Sequence, residues 1–219
     1  MNLYFDVETI PCQLEGVRQE FEDAVEAPGQ YKKPESIAEW LKENRAIEGE
    51  KAWLKTSFDG GMGHACVIAW AFNDEAPHSY QATIGGEKKM LEDFFCVLVD
   101  AGPGITLVGH NIIGFDLPFL WKRAMVLGVK PPQMFPRDPK PWAGSVIDTM
   151  LLWDSQQRAG GSMDRICRLL CIPGKGDMDG SKVWPMYQDG KLTEIALYCK
   201  GDVERTREMH RRMTFAEAA

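Results

Sequence analysis

Apolar residues recur along this chain at two spacings. Unbroken runs at residues 1–6, 65–72 and 105–109 predict buried strands, the second bounded by Gly60-Gly61-Met62-Gly63 and Asn73-Asp74-Glu75. Residues 78–84 alternate as a third strand would, and Val146-Ile147 is a short last one. Elsewhere the period lengthens to that of a helix. After Gly85-Gly86, residues 87–100 put Met90, Leu91, Phe94, Phe95 and Leu98 on one face. Residues 116–127 follow as a helix that tolerates Pro118 only in its first turn, and residues 192–213 form the final helix. Periodicity alone gives a mixed α/β domain.

Residues 11–59 separate the first two strands and are too long for a hairpin loop. Two acidic amphipathic patterns, at 14–25 and 34–55, predict a helical insertion. Pro34 opens the second, with Ile37, Trp40, Leu41 and Ile47 as its apolar face. The insertion is either an excursion packed on the domain or a clamp beside a site. Residues 130–145, with Pro131, Pro132, Pro136, Pro139 and Pro141, read as a stiff bridge or as a rim against a substrate. Gly174-Lys175-Gly176-Asp177 lacks the Gly-Lys-Ser/Thr ending of a phosphate loop.

A length of 219 residues suits a single α/β domain spanning 1–219. No apolar run has the length of a membrane span and no secretory signal opens the chain, so a cytoplasmic address with no membrane contact is expected. The six cysteines include no Cys-x-x-Cys pair and read as reduced core thiols. Net charge is −7, but unevenly spread: residues 1–110 carry 9 basic and 19 acidic side chains, residues 111–219 carry 16 and 13. That distribution excludes a protein that coats duplexes and allows one that grips a few nucleotides.

The chemistry rests on acids. Asp6 and Glu8 fall on the same side of the first strand, about 6–7 Å apart along it. Asp116 follows His110-Asn111-Ile112-Ile113-Gly114-Phe115, and Asp202 lies one helical turn after Tyr198. Four converging carboxylates repel one another unless hard cations join them, and oxygen-rich sites suit Mg²⁺ or Mn²⁺ better than zinc.

Asp6-x-Glu8, Asn111-x-x-x-Phe115-Asp116 and Tyr198-x-x-x-Asp202 together resemble the DEDDy subgroup of DEDD 3′–5′ exonucleases, most closely the exonucleases related to the proofreading domain of family-B DNA polymerases. The resemblance implies a ribonuclease H-like mixed sheet flanked by helices. It also implies a two-ion mechanism. Asp6 would bridge two Mg²⁺ or Mn²⁺ ions, Glu8 and Asp202 would complete the site that activates water, and Asp116 would hold the second ion. Tyr198, protonated near neutral pH, would orient the attacking water. Asn111 and the Thr9 backbone would meet the terminal sugar, and Phe115 the last bases. His110 is expected as a structural hydrogen-bonding residue, and Asp148 as a cap outside the catalytic set. The substrate implied is a nucleic-acid 3′ end, DNA favoured over RNA, single-stranded or frayed, releasing nucleoside 5′-monophosphates. The chain is too short to carry a polymerase as well, leaving a polymerase or helicase partner open. Rival readings are an exoribonuclease, an endonuclease, and a catalytically silent nucleic-acid-binding subunit.

Overall fold

The computed structural model describes residues 1–140, 142–155, 161–174, 176 and 178–216. Pro141 of the proline-rich segment, and Lys175 and Asp177 of the Gly-Lys-Gly-Asp run, lie outside the described residues. Five strands form one mixed sheet: β1 (Asn2–Ile10), β2 (His64–Phe72), β3 (His78–Gln81), β4 (Thr106–Gly109) and β5 (Val146–Asp148). Their order is β3-β2-β1-β4-β5, antiparallel from β1 to β3 and parallel from β1 through β4 to β5.

Strand β1 is longer than its apolar run. Pairing with β2 continues through Asp6↔Ala69 and Glu8↔Val67 to Ile10↔His64, with a register shift between Glu8 and Thr9. Backbone pairing therefore holds a polar stretch in strand geometry. Its side chains alternate between two apolar layers. Leu3, Phe5 and Val7 pack with α3 (Glu87–Ala101) and α4 (Asp116–Leu127). Tyr4 and Ile10 pack with α7 (Val183–Gln188) and α8 (Leu192–Thr214) on the other face. Each large side chain so buried contributes about 1.5–3 kcal/mol. Both faces of the central strands are covered, which explains why β2 reads as a continuous apolar run.

The insertion contains α1 (Val17–Asp23) and α2 (Pro34–Leu54), ending in a 3₁₀ turn, Lys55–Phe58. The two helices touch at Gly49, where any Cβ would strike the backbone of Glu22. The expected apolar face is corrected here. Ile47 is 54% exposed and Ile37, Trp40 and Leu41 are half-buried, while Gly49 and Trp53 are the buried positions. Charges interrupt the apolar spacing, so contact with α1 and the end of β1 decides which face turns inward. Within the proline-rich segment, Phe135 is buried against Phe95, and Trp121 Nε1 donates to the Pro136 carbonyl at 2.7 Å. Three helices, α5 (Thr149–Trp153), α6 (Met163–Leu169) and α7, were not legible as periodic segments because each is two turns or shorter. Cys12, Cys66, Cys167 and Cys199 are buried thiols, whereas Cys96 and Cys171 are exposed, against the expectation for core cysteines.

A buried ion cluster ties the insertion's return to the sheet. Glu87 at the start of α3 accepts from Arg123 Nε (2.7 Å) and Nη2 (2.6 Å), from the Ala65 amide (2.8 Å), and meets His64 Nδ1 at 2.9 Å. Burial pushes this carboxyl up, but the His64, Arg123 and Ala65 contacts outweigh it and hold it below its ordinary range. Arg123 Nη1 also donates to the Gly60 carbonyl, and a Cβ at Gly60 would run into the Phe119 carbonyl oxygen of α4.

Candidate active site

Strand β4 pairs with β1 only from Asn2 to Tyr4, so β1 overhangs its parallel neighbour and carries Asp6 and Glu8 past the end of β4. Crevices at the carboxyl ends of parallel strands are where open α/β sheets gather their sites. By alternation Asp6 and Glu8 share the face of Tyr4, toward α8. Glu8 is buried and Asp6 half-buried.

Asp116 opens α4. The residue is 3% exposed, and its buried Oδ1 has no hydrogen-bond partner among the described residues. Burial, followed by the negative charges of Asp6 and Asp148, pushes its pKa well above the ordinary carboxylate range; its own backbone amide and that of Val7 only partly offset this. The loop leading to it is built by Asp148, whose Oδ1 accepts from the Asn111 amide (2.9 Å) and the Met150 amide (3.0 Å), and Oδ2 from the Ile113 amide (3.1 Å). Asp148 thus caps α5 and shapes the turn around Asn111, which adopts φ 61°. Asparagine tolerates that left-handed conformation better than most residues. His110 is held structurally: Nε2 donates to the Gly161 carbonyl (3.1 Å) and Nδ1 meets the Thr149 hydroxyl at 2.9 Å.

Helix α8 supplies the remaining groups, because Tyr198, Cys199, Asp202 and Val203 share its inward stripe. The Cys199 thiol donates to the Asp6 carbonyl (3.4 Å) and to Asp6 Oδ2 (3.3 Å). Burial, then the charges of Asp6 and Glu8, push this thiol well above its ordinary value, so it stays neutral. Arg205 fixes Asp202, donating from Nη1 to Oδ1 at 2.8 Å while Nη2 reaches the Gly174 carbonyl at 3.0 Å. The Arg205 contact, three residues on from Asp202, is legible in the sequence as an opposite-charge helical pair.

These elements enclose a cleft of about 470 Å³. Asp6, Glu8, Asp116, Tyr198 and Asp202 all line it, with Thr9, Phe115 and His110. Asn111 is not among its lining residues; its Oδ1 fills the space a Gly114 side chain would take. No motif or period points to Lys55, Ser57 and Phe58 of the 3₁₀ turn, or to Ser181 and Trp184, which also line the walls.

The donor set fits hard divalent cations. Ligand atoms of Asp6, Glu8 and Cys199 lie within 4.8 Å of one another, and the orphaned Asp116 oxygen gives a buried acceptor lacking a positive partner. Carboxylate oxygens dominate, and the one sulfur is a neutral thiol engaged with Asp6.

Comparison with known proteins agrees with the geometry. None of the curated proteins compared with the chain matches it. Among solved structures it is similar to the family B DNA polymerase from the hyperthermophilic archaeon Pyrobaculum calidifontis, with a TM-score of 0.61 and 16% identity. That likeness concerns the fold; it covers 98% of this chain and 24% of the polymerase. Residues 53–219 match the family model described as a predicted 3′–5′ exonuclease related to the exonuclease domain of PolB. That match spans most of the chain, which therefore belongs to this family of predicted PolB-related 3′–5′ exonucleases.

Proposed function

We propose that the cleft hydrolyses the last phosphodiester at the 3′ end of single-stranded or frayed DNA, releasing a nucleoside 5′-monophosphate. The observation that carries this reading is the meeting of Asp6, Glu8, Asp116, Tyr198 and Asp202 in one cleft, with a buried Asp116 oxygen that has no hydrogen-bond partner among the described residues. Asp6, Glu8, Asp116 and Asp202 would hold two Mg²⁺ or Mn²⁺ ions. When bound, such ions lower the pKa of water and stabilise charge on the phosphorus and on the leaving oxygen.

The chain's own groups do the rest. Tyr198 directs the oxygen of the attacking water from the cleft wall, Arg205 keeps Asp202 in one orientation, and the Cys199 thiol does the same for Asp6. A new bond forms between the water oxygen and phosphorus as the bond to the 3′ oxygen breaks. The proton the water loses leaves to solvent, and the departing 3′ oxygen is protonated in turn. Phe115 contacts the last bases and the Thr9 backbone borders the terminal 3′ hydroxyl. Asn111 reaches the sugar only by turning its amide away from Gly114.

The test uses 5′-end-labelled single-stranded DNA, blunt duplex DNA and RNA of one sequence, each with Mg²⁺ or Mn²⁺, and products resolved by length. Single-stranded DNA should shorten stepwise and fastest. Faster shortening of RNA would overturn the choice of sugar, and no shortening of any strand would overturn the reading itself.

A further inference from the structure

Phe58 is 71% exposed. Single exposed apolar residues are ordinary. This one lines the cleft, edge-on to Phe115 with ring centroids 6.3 Å apart, on a segment pinned from several sides. Thr9 Oγ1, beside the acids of β1, donates to the Ser57 carbonyl at 2.7 Å. Thr56 Oγ1 accepts from the Cys12 amide (2.8 Å) and donates to the Trp53 carbonyl (2.6 Å). Asp59 pairs with Lys122 of α4 at 2.6 Å, and Gly63 packs so closely on the Thr56 and Ile10 carbonyls that no side chain fits. The ring is thus held in water at a fixed place beside the catalytic acids. Three residues apart in a 3₁₀ turn means eclipsed, so Lys55 and Phe58 share one face, and both line the cleft.

We infer that Lys55 and Phe58, delivered by the insertion, form with Phe115 a binding subsite for unpaired nucleobases, which makes the enzyme selective for single-stranded ends. This rests on the proposed nuclease reading. An aromatic face with a nearby cation is the arrangement that holds single strands without regard to sequence. Bases within a duplex already cover each other's faces and cannot offer them to Phe58, so a paired end gains nothing from the subsite. The long acidic excursion at residues 11–59 acquires a purpose: its helices position a turn that contacts substrate, while its acidic surface stays clear of the phosphates.

The test compares wild type, Phe58→Ala, Phe58→Trp and Lys55→Gln on single strands ending in each of the four bases. For Phe58→Ala, KM should rise about tenfold for every terminal base, the equivalent of ~1.4 kcal/mol, with kcat nearly unchanged. Phe58→Trp should restore it. On a strand whose last three nucleotides lack bases, wild type and Phe58→Ala should match. Lys55→Gln should flatten the plot of log affinity against log salt by about 0.7, one phosphate contact on a single strand. An unchanged KM on a strand that wild type degrades, or an equal loss on the abasic strand, overturns this inference and leaves the nuclease reading standing. If wild type degrades nothing, the nuclease reading falls, and 2-aminopurine near the 3′ end still decides the subsite without turnover. Its fluorescence should be quenched on binding wild type and not on binding Phe58→Ala; equal quenching overturns the inference.

Discussion

The Asp116→Asn variant separates the structural cost of the site from its chemistry. In the metal-free protein the Asp116 carboxyl is buried beside Asp6, with Oδ1 unpartnered among the described residues and its pKa pushed well above the ordinary range by burial and by Asp6. Asparagine keeps the shape, removes the charge and can donate to Asp6. A buried polar group without its partner costs about 1–3 kcal/mol. For a chain of this length each kcal/mol moves Tm by roughly 2–4 °C. In EDTA at neutral pH the variant should therefore melt roughly 2–12 °C above wild type.

The sign with pH follows from linkage. A carboxyl whose folded value is raised binds its proton more tightly in the native state, so its ionisation lowers stability as pH climbs from the unfolded value, about 3.9, toward and through the raised folded value. The advantage of Asp116→Asn should accordingly shrink as pH falls across that window. Added divalent cation should reverse the order: a ligand at a hundred times its Kd stabilises by ~2.7 kcal/mol, and the variant lacks one of the ligands. Differential scanning calorimetry over pH, with EDTA and with Mn²⁺, reads all of this. A variant less stable than wild type in EDTA at neutral pH, or a difference independent of pH, would refute the reasoning.

Arg205→Ala should raise the metal concentration giving half-maximal activity about 10- to 100-fold, the usual effect of losing a partner that orients a ligand, with Arg205→Lys recovering part of it. A metal-titration curve superposing on wild type would make the pair with Asp202 incidental. Tyr198→Phe should slow the reaction by about 100-fold, the scale for misplacing a reacting group by an ångström, while metal binding measured by calorimetry stays near wild type. Loss of metal affinity in that variant would assign Tyr198 to support of the ligands instead.

The parts of this architecture written in strong local pattern were legible. The run 65–72, the stripe Met90, Leu91, Phe94, Phe95 and Leu98, and the last helix all occur near their expected bounds, because core burial on both faces of the sheet enforces those periods. Asp6 and Glu8 were placed on a strand, yet the strand runs four residues further than its apolar run, since pairing with β2 stabilises the polar end. The third strand stops at Gln81, where Ile84–Gly86 turns into a 3₁₀ segment before α3. What the sequence could not convey depends on contacts between distant segments. Phe58 reaches the cleft through Thr9, Cys12 and Lys122, and Asn111 turns aside because Gly114 leaves room for its amide. Neither arrangement has a period to read.

The central claim is that the carboxylate cleft removes nucleotides from a free 3′ end. Its most direct measurement is the fate of one single-stranded DNA sequence supplied as a 5′-labelled linear strand and as a closed circle, incubated with Mg²⁺ or Mn²⁺ and with wild type or Asp6→Ala. Expected are a ladder of products shortening one nucleotide at a time from the linear strand, an intact circle, and no products from either with Asp6→Ala. Circles cut rapidly by wild type and left whole by Asp6→Ala would contradict it, giving an endonuclease on the same acids.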